Sequence, residues 1–213
     1  RLDERDHAEI IDFDSQVRRL TSFSRDKDEL RAALEPVRPA GATALYDAIN
    51  LARTDLIGRS GLKAVVVLTD GKDERGGDTE GRMSEMPLDN LLAELNAGPI
   101  PVYAIGLGAG IDRGVLDTIA DASGGEAYYA DEADAVSEIY LDIISYLHSL
   151  YRFYYVSRDA DRDGRRREMA VRARLENAPE QRAVAKYRAP RGPYWSYAVK
   201  PHPDYRLIYG RVE

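Results

Sequence analysis

Apolar residues concentrate first in Ala64–Leu68, an AVVVL run with no polar residue between them. A run without alternation suits a strand buried on both faces, as in the middle of a parallel sheet. It stops at Thr69-Asp70-Gly71, which puts a carboxylate at the carboxyl end of a central strand. Val102–Leu107 reads as the next strand and Ala127–Ala130 as a short third one. Helical spacing fills the intervals. Leu45, Ala48, Ile49, Ala52 and Leu56 form one stripe, starting near Thr43 and ended by Gly58. Leu88, Leu91, Leu92 and Leu95 form another, stopped by Gly98-Pro99. Val115, Leu116, Ile119 and Ala120 form a third, closed by Gly124-Gly125, and Val136, Ile139, Tyr140, Ile143 and Leu147 a fourth, ending near Leu150. Gly and Pro punctuate these boundaries for the usual backbone reasons.

Upstream, Ala8–Asp12 and Val17–Phe23 read as short strands around a Phe13–Gln16 turn, where Asp and Ser bond their own backbone. Asp26 followed by Glu29 predicts a capping box, with Leu30, Ala33, Leu34 and Val37 as the inner face of the helix it opens. Strand and helix alternate, so the fold class is α/β, a Rossmann-like doubly wound and mostly parallel sheet. The loop from Gly71 to Met86 is unusually long and polar, which suggests function or mobility. After Tyr151 the pattern changes. Tyr151–Ser157, Glu168–Leu175, Arg182–Arg188 and Trp195–Val199 are strand-like and separated by turn signals at Asp163-Gly164 and Glu176–Pro179. Residues 1–150 are therefore expected to form the α/β domain and residues 151–213 a small antiparallel annex.

Composition adds limits. The 213 residues are 44% hydrophobic, enough for a core. No apolar run reaches membrane-spanning length. With no cysteine, disulfides, thiolate metal sites and cysteine nucleophiles are excluded. The net charge of -7 divides unevenly, residues 1–150 being acidic and residues 151–213 basic. Two solvated faces that attract each other account for this better than an anion-binding tail, and no nucleic-acid partner is expected. His7, His148 and His202 lack ligand spacing, and no acid–base pair, nucleophile elbow or phosphate loop emerges.

Three stretches in order, GATALYDAI at Gly41–Ile49, VVVLTDGKD at Val65–Asp73 and PVYAIGLG at Pro101–Gly108, resemble the von Willebrand factor type A (VWA) domain over roughly Ala8 to Leu150. The resemblance implies a metal-ion-dependent adhesion site (MIDAS) on the sheet's carboxyl edge, where a divalent cation, usually Mg²⁺, bridges to a carboxylate of a protein partner. Thr43 matches the family's second-loop threonine and Asp70 its third-loop aspartate. Hard cations take such oxygen ligands and keep open positions for water or a partner oxygen. The family's first-loop Asp-x-Ser-x-Ser is missing, and Asp12-Phe13-Asp14-Ser15 is no substitute, since it lies at the hairpin. Read alone, Thr43 suits a helix N-cap and Asp70 a strand-end turn. Together, on these two loops, they favour the metal edge.

Two other motifs are weaker. Asp159, Asp161 and Asp163 before Gly164 resemble the opening of a Ca²⁺ loop, but Ala170 stands where the bidentate Glu belongs. A hairpin turn is the better reading. Gly106, Gly108 and Gly110 after a strand resemble a dinucleotide fingerprint with its third glycine one position early. The expectation is thus a binding module rather than an enzyme, a metal-dependent interaction or adhesion domain. A metal-independent assembly module and a dinucleotide-dependent enzyme are the alternatives. The annex resembles the tail of bacterial relatives of this family, which are commonly exported, so an extracytoplasmic setting is expected.

The family's first strand would lie between Ala8–Asp12 and Ala64–Thr69. Without it, rows of N–H and C=O groups face a gap, each costing about 1–3 kcal/mol if buried. A ladder of these exceeds the roughly 5–15 kcal/mol stability of a domain. The chain opens at Arg1 with neither methionine nor a leader pattern. We therefore expect the strand to come from a cleaved or upstream N-terminal segment, or from a partner that donates it, the alternative being that the two flanking strands pair directly into a narrower sheet without the metal loop.

Overall fold

A computed structural model describes residues 2–38, 42–74, 83–98, 100–150, 165–173 and 181–188. The chain divides into two compact units, Arg1–Arg152 and Phe153–Glu213. In the first, β1 (Ile11–Phe13) and β2 (Val17–Arg19) form an antiparallel pair with Phe13 opposite Val17. Asp14 makes the turn, its Oδ1 accepting the Gln16 amide at 2.8 Å. These strands are shorter than the sequence pattern suggests. Ala8 and Ser24 meet only as an isolated bridge.

β3 (Val65–Thr69), β4 (Val102–Leu107) and β5 (Ala127–Ala130) form a parallel sheet in the order β3-β4-β5. Helices α2 (Leu45–Leu56), α3 (Leu88–Ala97) and α4 (Arg113–Ser123) share one core with the sheet. Helix α5 (Ala133–Ser149) packs against Tyr103 and Ile105 through Ile143. Side chains alternate along a strand, so Val102 and Ala104 enter the first core while Tyr103 and Ile105 enter the second. Both faces carry helices, which is the doubly wound α/β arrangement. The leucine stripe of α3 is the clearest sequence signal realised. Leu91 and Leu95 are fully buried, each contributing about 1.5–3 kcal/mol by leaving water.

Helix α1 (Lys27–Leu34) departs from its expected form. Asp26 caps it, accepting the Asp28 and Glu29 amides, but Glu29 does not close a capping box. Ser24 stands between, its hydroxyl accepting the Asp26 amide and donating to Glu29. Only Leu30 of the expected inner face is buried; Leu34 is 53% exposed.

The second unit contains β6 (Arg166–Ala173) and β7 (Gln181–Arg188), antiparallel with Arg166 opposite Arg188. The strand-like segments Tyr151–Ser157 and Trp195–Val199 and the Asp159, Asp161, Asp163 motif lie outside the described residues.

Candidate functional site

The carboxyl ends of β3 and β4 meet the start of α2, and two main-chain hydrogen bonds and one close approach define the place. The Thr43 amide donates to the Glu74 carbonyl at 3.1 Å, and the Ala44 amide donates to the Asp14 carbonyl at 2.7 Å. Adjacent residues thus tie down the loop after β3 and the turn after β1. From the other side, a Cβ on Gly110 would stand 3.0 Å from the Asp70 carbonyl oxygen. The loop after β4 approaches Asp70 that closely because position 110 has no side chain.

Thr43 lies close to the turn that follows Asp70. The Thr43 hydroxyl lies 3.2 Å from where a Cβ on Gly71 would stand, so it sits beside the residue that follows Asp70. Neither side chain takes its expected local role. The N-cap of α2 is Ala44, not Thr43. At the end of β3 the turn is made by Thr69, whose Oγ1 accepts the Gly71 amide at 3.3 Å and donates to the Gly71 carbonyl at 3.2 Å. Asp70 is exposed, and among the described residues its carboxylate has no hydrogen bond or ion pair.

Sequence reasoning missed what caps α2. The Tyr46 amide donates to Asp73 Oδ2 and to Ser84 Oγ, both at 3.0 Å, and the Asp47 amide donates to Ser84 Oγ at 3.1 Å. Asp73 Oδ1 also accepts the Met83 and Ser84 amides at 3.0 Å, and its other oxygen accepts the Ser84 hydroxyl. Asp47 returns the contact, accepting the Glu85 and Met86 amides at 2.7 and 2.9 Å. One carboxylate therefore joins both described ends of the long loop to the positive end of a helix dipole. The available signal was negative: Ala44 cannot cap, so the donors of the first turn needed partners from elsewhere.

Other acidic groups nearby are engaged. Arg18 donates to Asp12 at 2.6 Å and to Asp14 at 2.7 Å, and that guanidinium holds the Asp14 carboxyl below its ordinary value. This pairing accounts for Asp12 and Asp14 without a metal. Asp112 caps α4 by accepting the Val115 amide at 3.1 Å. A cavity of about 220 Å³ opens on this edge between Tyr46, Gly71, Asp73, Asp112 and Leu116, but neither Thr43 nor Asp70 lines it. Among the described residues no group of three His, Cys, Asp or Glu could hold a metal.

The sequence model of the von Willebrand factor type A domain matches residues 1–142. The chain belongs to this family. The VWA fold recurs in solved structures of low identity. BatB from Bacteroides thetaiotaomicron, a conserved hypothetical protein, is 18% identical with a TM-score of 0.53, over 70% of this chain and 82% of that one. A von Willebrand factor type A protein from Catenulispora acidiphila is 17% identical with a TM-score of 0.57, over 86% and 46%. Proximal thread matrix protein 1 from the mussel byssus is 21% identical with a TM-score of 0.50, over 65% of this chain and 34% of that one. At these identities the likeness is one of fold. None of the curated proteins compared matches the chain. No helix among the described residues is long and apolar enough to cross a membrane.

Proposed function

We propose that this VWA domain is a metal-dependent protein-interaction or adhesion module, with no catalytic role. One observation supports the reading: Asp70 is exposed with no partner for its carboxylate among the described residues, and the Thr43 hydroxyl sits beside the residue that follows it, Gly71, on the sheet's carboxyl edge. Both donors are hard oxygens, which fits Mg²⁺ or a similar divalent cation. Such an ion is commonly held by one or two carboxylates and keeps several waters. Thr43 and Asp70 would hold the ion, and it would supply a Lewis-acidic position for a carboxylate of the partner protein. Two side chains make an incomplete set, so the remaining positions fall to water, the partner or a segment beyond these residues. A secreted or cell-surface setting belongs to the same proposal and follows from the resemblance to exported bacterial proteins.

The shortage of ligands supports a second reading, a metal-independent assembly module. The dinucleotide alternative is less compatible with α4. Asp112 already occupies the helix N-terminus where a pyrophosphate would sit. Titration calorimetry with Mg²⁺ on the wild type and on Asp70→Ala separates the first two readings. Metal binding weakened by the substitution supports the metal edge. Equal heats in both proteins point to the assembly module.

A further inference from the structure

The second unit offers a charged surface. β6 and β7 run opposite each other, from Arg166 with Arg188 to Ala173 with Gln181. Successive residues of a strand belong to opposite faces of the ribbon, and residues directly opposite share a face. One face therefore holds Arg166 with Arg188, Glu168 with Lys186, and Arg172 with Arg182. The other is mostly apolar, with Met169 opposite Ala185 and Val171 opposite Ala183. Of the six cations in the two strands, five fall on the first face. Glu168, on that same face, is exposed.

Like charges directly opposite one another destabilise an antiparallel pair. The register sets arginine against arginine at Arg166 and Arg188, and again at Arg172 and Arg182. Lys186 stands opposite Glu168, so the surplus charge lies in the two arginine pairs. The pairs are six residues apart along β6, which is about 20 Å at the usual strand rise. An anion at each pair turns the repulsion into attraction, and one small anion cannot reach both. Composition explains the charge asymmetry by two faces that attract each other. The gathering of arginines on one ribbon face, at this spacing, favours an extended array of anions outside the chain.

We propose that the basic face of the β6–β7 ribbon docks on a surface of anionic phospholipid headgroups, with one arginine pair to a phosphate at each end. Guanidinium groups match phosphate oxygens through paired hydrogen bonds. A headgroup layer presents its charges as a flat, repeating array, which meets two separated pairs at once. The sequence shortly after β7 favours lipid over an acidic protein. Tyr194, Trp195 and Tyr197 occur there, and Trp and Tyr prefer the boundary between membrane and water. Lysine and arginine near an anionic leaflet each add measurably to binding, so the contact needs no spanning segment.

The inference is independent of the metal reading, so it is tested with chelator present. Cosedimentation of residues 1–213 is measured with vesicles of phosphatidylcholine, alone and mixed with phosphatidylglycerol. Binding requires phosphatidylglycerol and weakens as salt is raised. Arg166→Gln with Arg188→Gln, and separately Arg172→Gln with Arg182→Gln, weaken it by about tenfold or more. Neither Gln pair lowers the unfolding midpoint, because each removes a repulsion. Arg166→Lys with Arg188→Lys keeps the charge and most of the binding. Arg167→Gln, on the opposite face, changes binding by less than about twofold. Equal binding to phosphatidylcholine alone overturns the proposal, as does binding that survives both Gln pairs or is lost as fully in Arg167→Gln. Absence of vesicle binding also overturns it, and protection of β6 and β7 amides by poly-glutamate in its place identifies an acidic protein as the occupant.

Discussion

Asp73 and Ser84 are eleven residues apart and bonded side chain to side chain, with the Ser84 amide donating to the same carboxylate. This contact joins the two described ends of the loop, alongside the Thr43–Glu74, Asp47–Glu85 and Asp47–Met86 hydrogen bonds. Asp73→Ala removes an acceptor used by three amides and a hydroxyl. We expect a loss of about 2–3 kcal/mol in urea unfolding, since hydrogen bonds to a charged group are worth about 1.5–3 kcal/mol each but do not add. Limited proteolysis should then cut within the loop. Asp73→Ala stability within error of wild type would show that the loop is held in another way.

Arg53 and Glu94 join α2 to α3, with Arg53 Nη2 donating to Glu94 Oε2 at 2.5 Å. The arginine is buried and its Nε has no hydrogen-bond partner among the described residues. Glu94 is half exposed, so the buried group is the guanidinium, and removing the carboxylate leaves that buried charge without its ion-pair partner. Glu94→Ala should therefore destabilise by about 1–3 kcal/mol, and Arg53→Met in that background should recover most of the loss. A double-mutant cycle by thermal unfolding measures this; no recovery contradicts it.

Gly124 and Gly125 close α4 for different reasons. Gly124 has φ of 76°, so Gly124→Ala costs about 1 kcal/mol. A Cβ on Gly125 would lie 2.0 Å from the Val102 carbonyl oxygen, a backbone clash nothing flexible relieves. Gly125→Ala should lose about 3 kcal/mol or more. Equal midpoints for the two variants would refute the distinction.

Acid sensitivity follows from Arg19 and Asp55, which join β2 to α2 through two hydrogen bonds of 2.6 and 2.8 Å. The Arg19 hydrogen bond holds the Asp55 carboxyl below its ordinary value of 3.8. A depressed folded value contributes stability that is present above the ordinary value and lost as pH falls through the folded one. Glu9 acts oppositely. Burial, and then the Asp55 charge, push it up, so the cost of ionising it disappears as pH falls through its folded value. Unfolding midpoints should decline in the acid window below the ordinary carboxyl range, and Asp55→Asn should flatten that decline. An unchanged slope in the variant counts against the assignment.

The parts legible in the sequence were those set by local pattern. The valine run of β3, the leucine stripe of α3 and the alternation of strand and helix announce a doubly wound sheet, because burial on two faces and helical periodicity are local properties. Thr43 and Asp70 are singled out by their match to the family's loops, not by local pattern. What escaped was long-range. Ala44 gives no hint that Asp73 and Ser84 cap α2 from 27 and 38 residues away. Ser24 intercepts the expected Asp26–Glu29 box because it precedes the helix closely enough to offer a hydroxyl to both. Leu34 follows the spacing of a buried face, yet what lies opposite a stripe is decided by tertiary packing.

Paramagnetic relaxation by Mn²⁺, standing in for Mg²⁺, tests the central claim most directly. In amide spectra of isotope-labelled protein, the account predicts that signals of Thr43 to Leu45 and of Asp70 to Lys72 fade first as Mn²⁺ is added. Excess Mg²⁺ should restore them, and Asp70→Ala should abolish the effect while leaving the remaining spectrum in place. Fading that centres on Asp12 and Asp14, or that persists unchanged in Asp70→Ala, would contradict it.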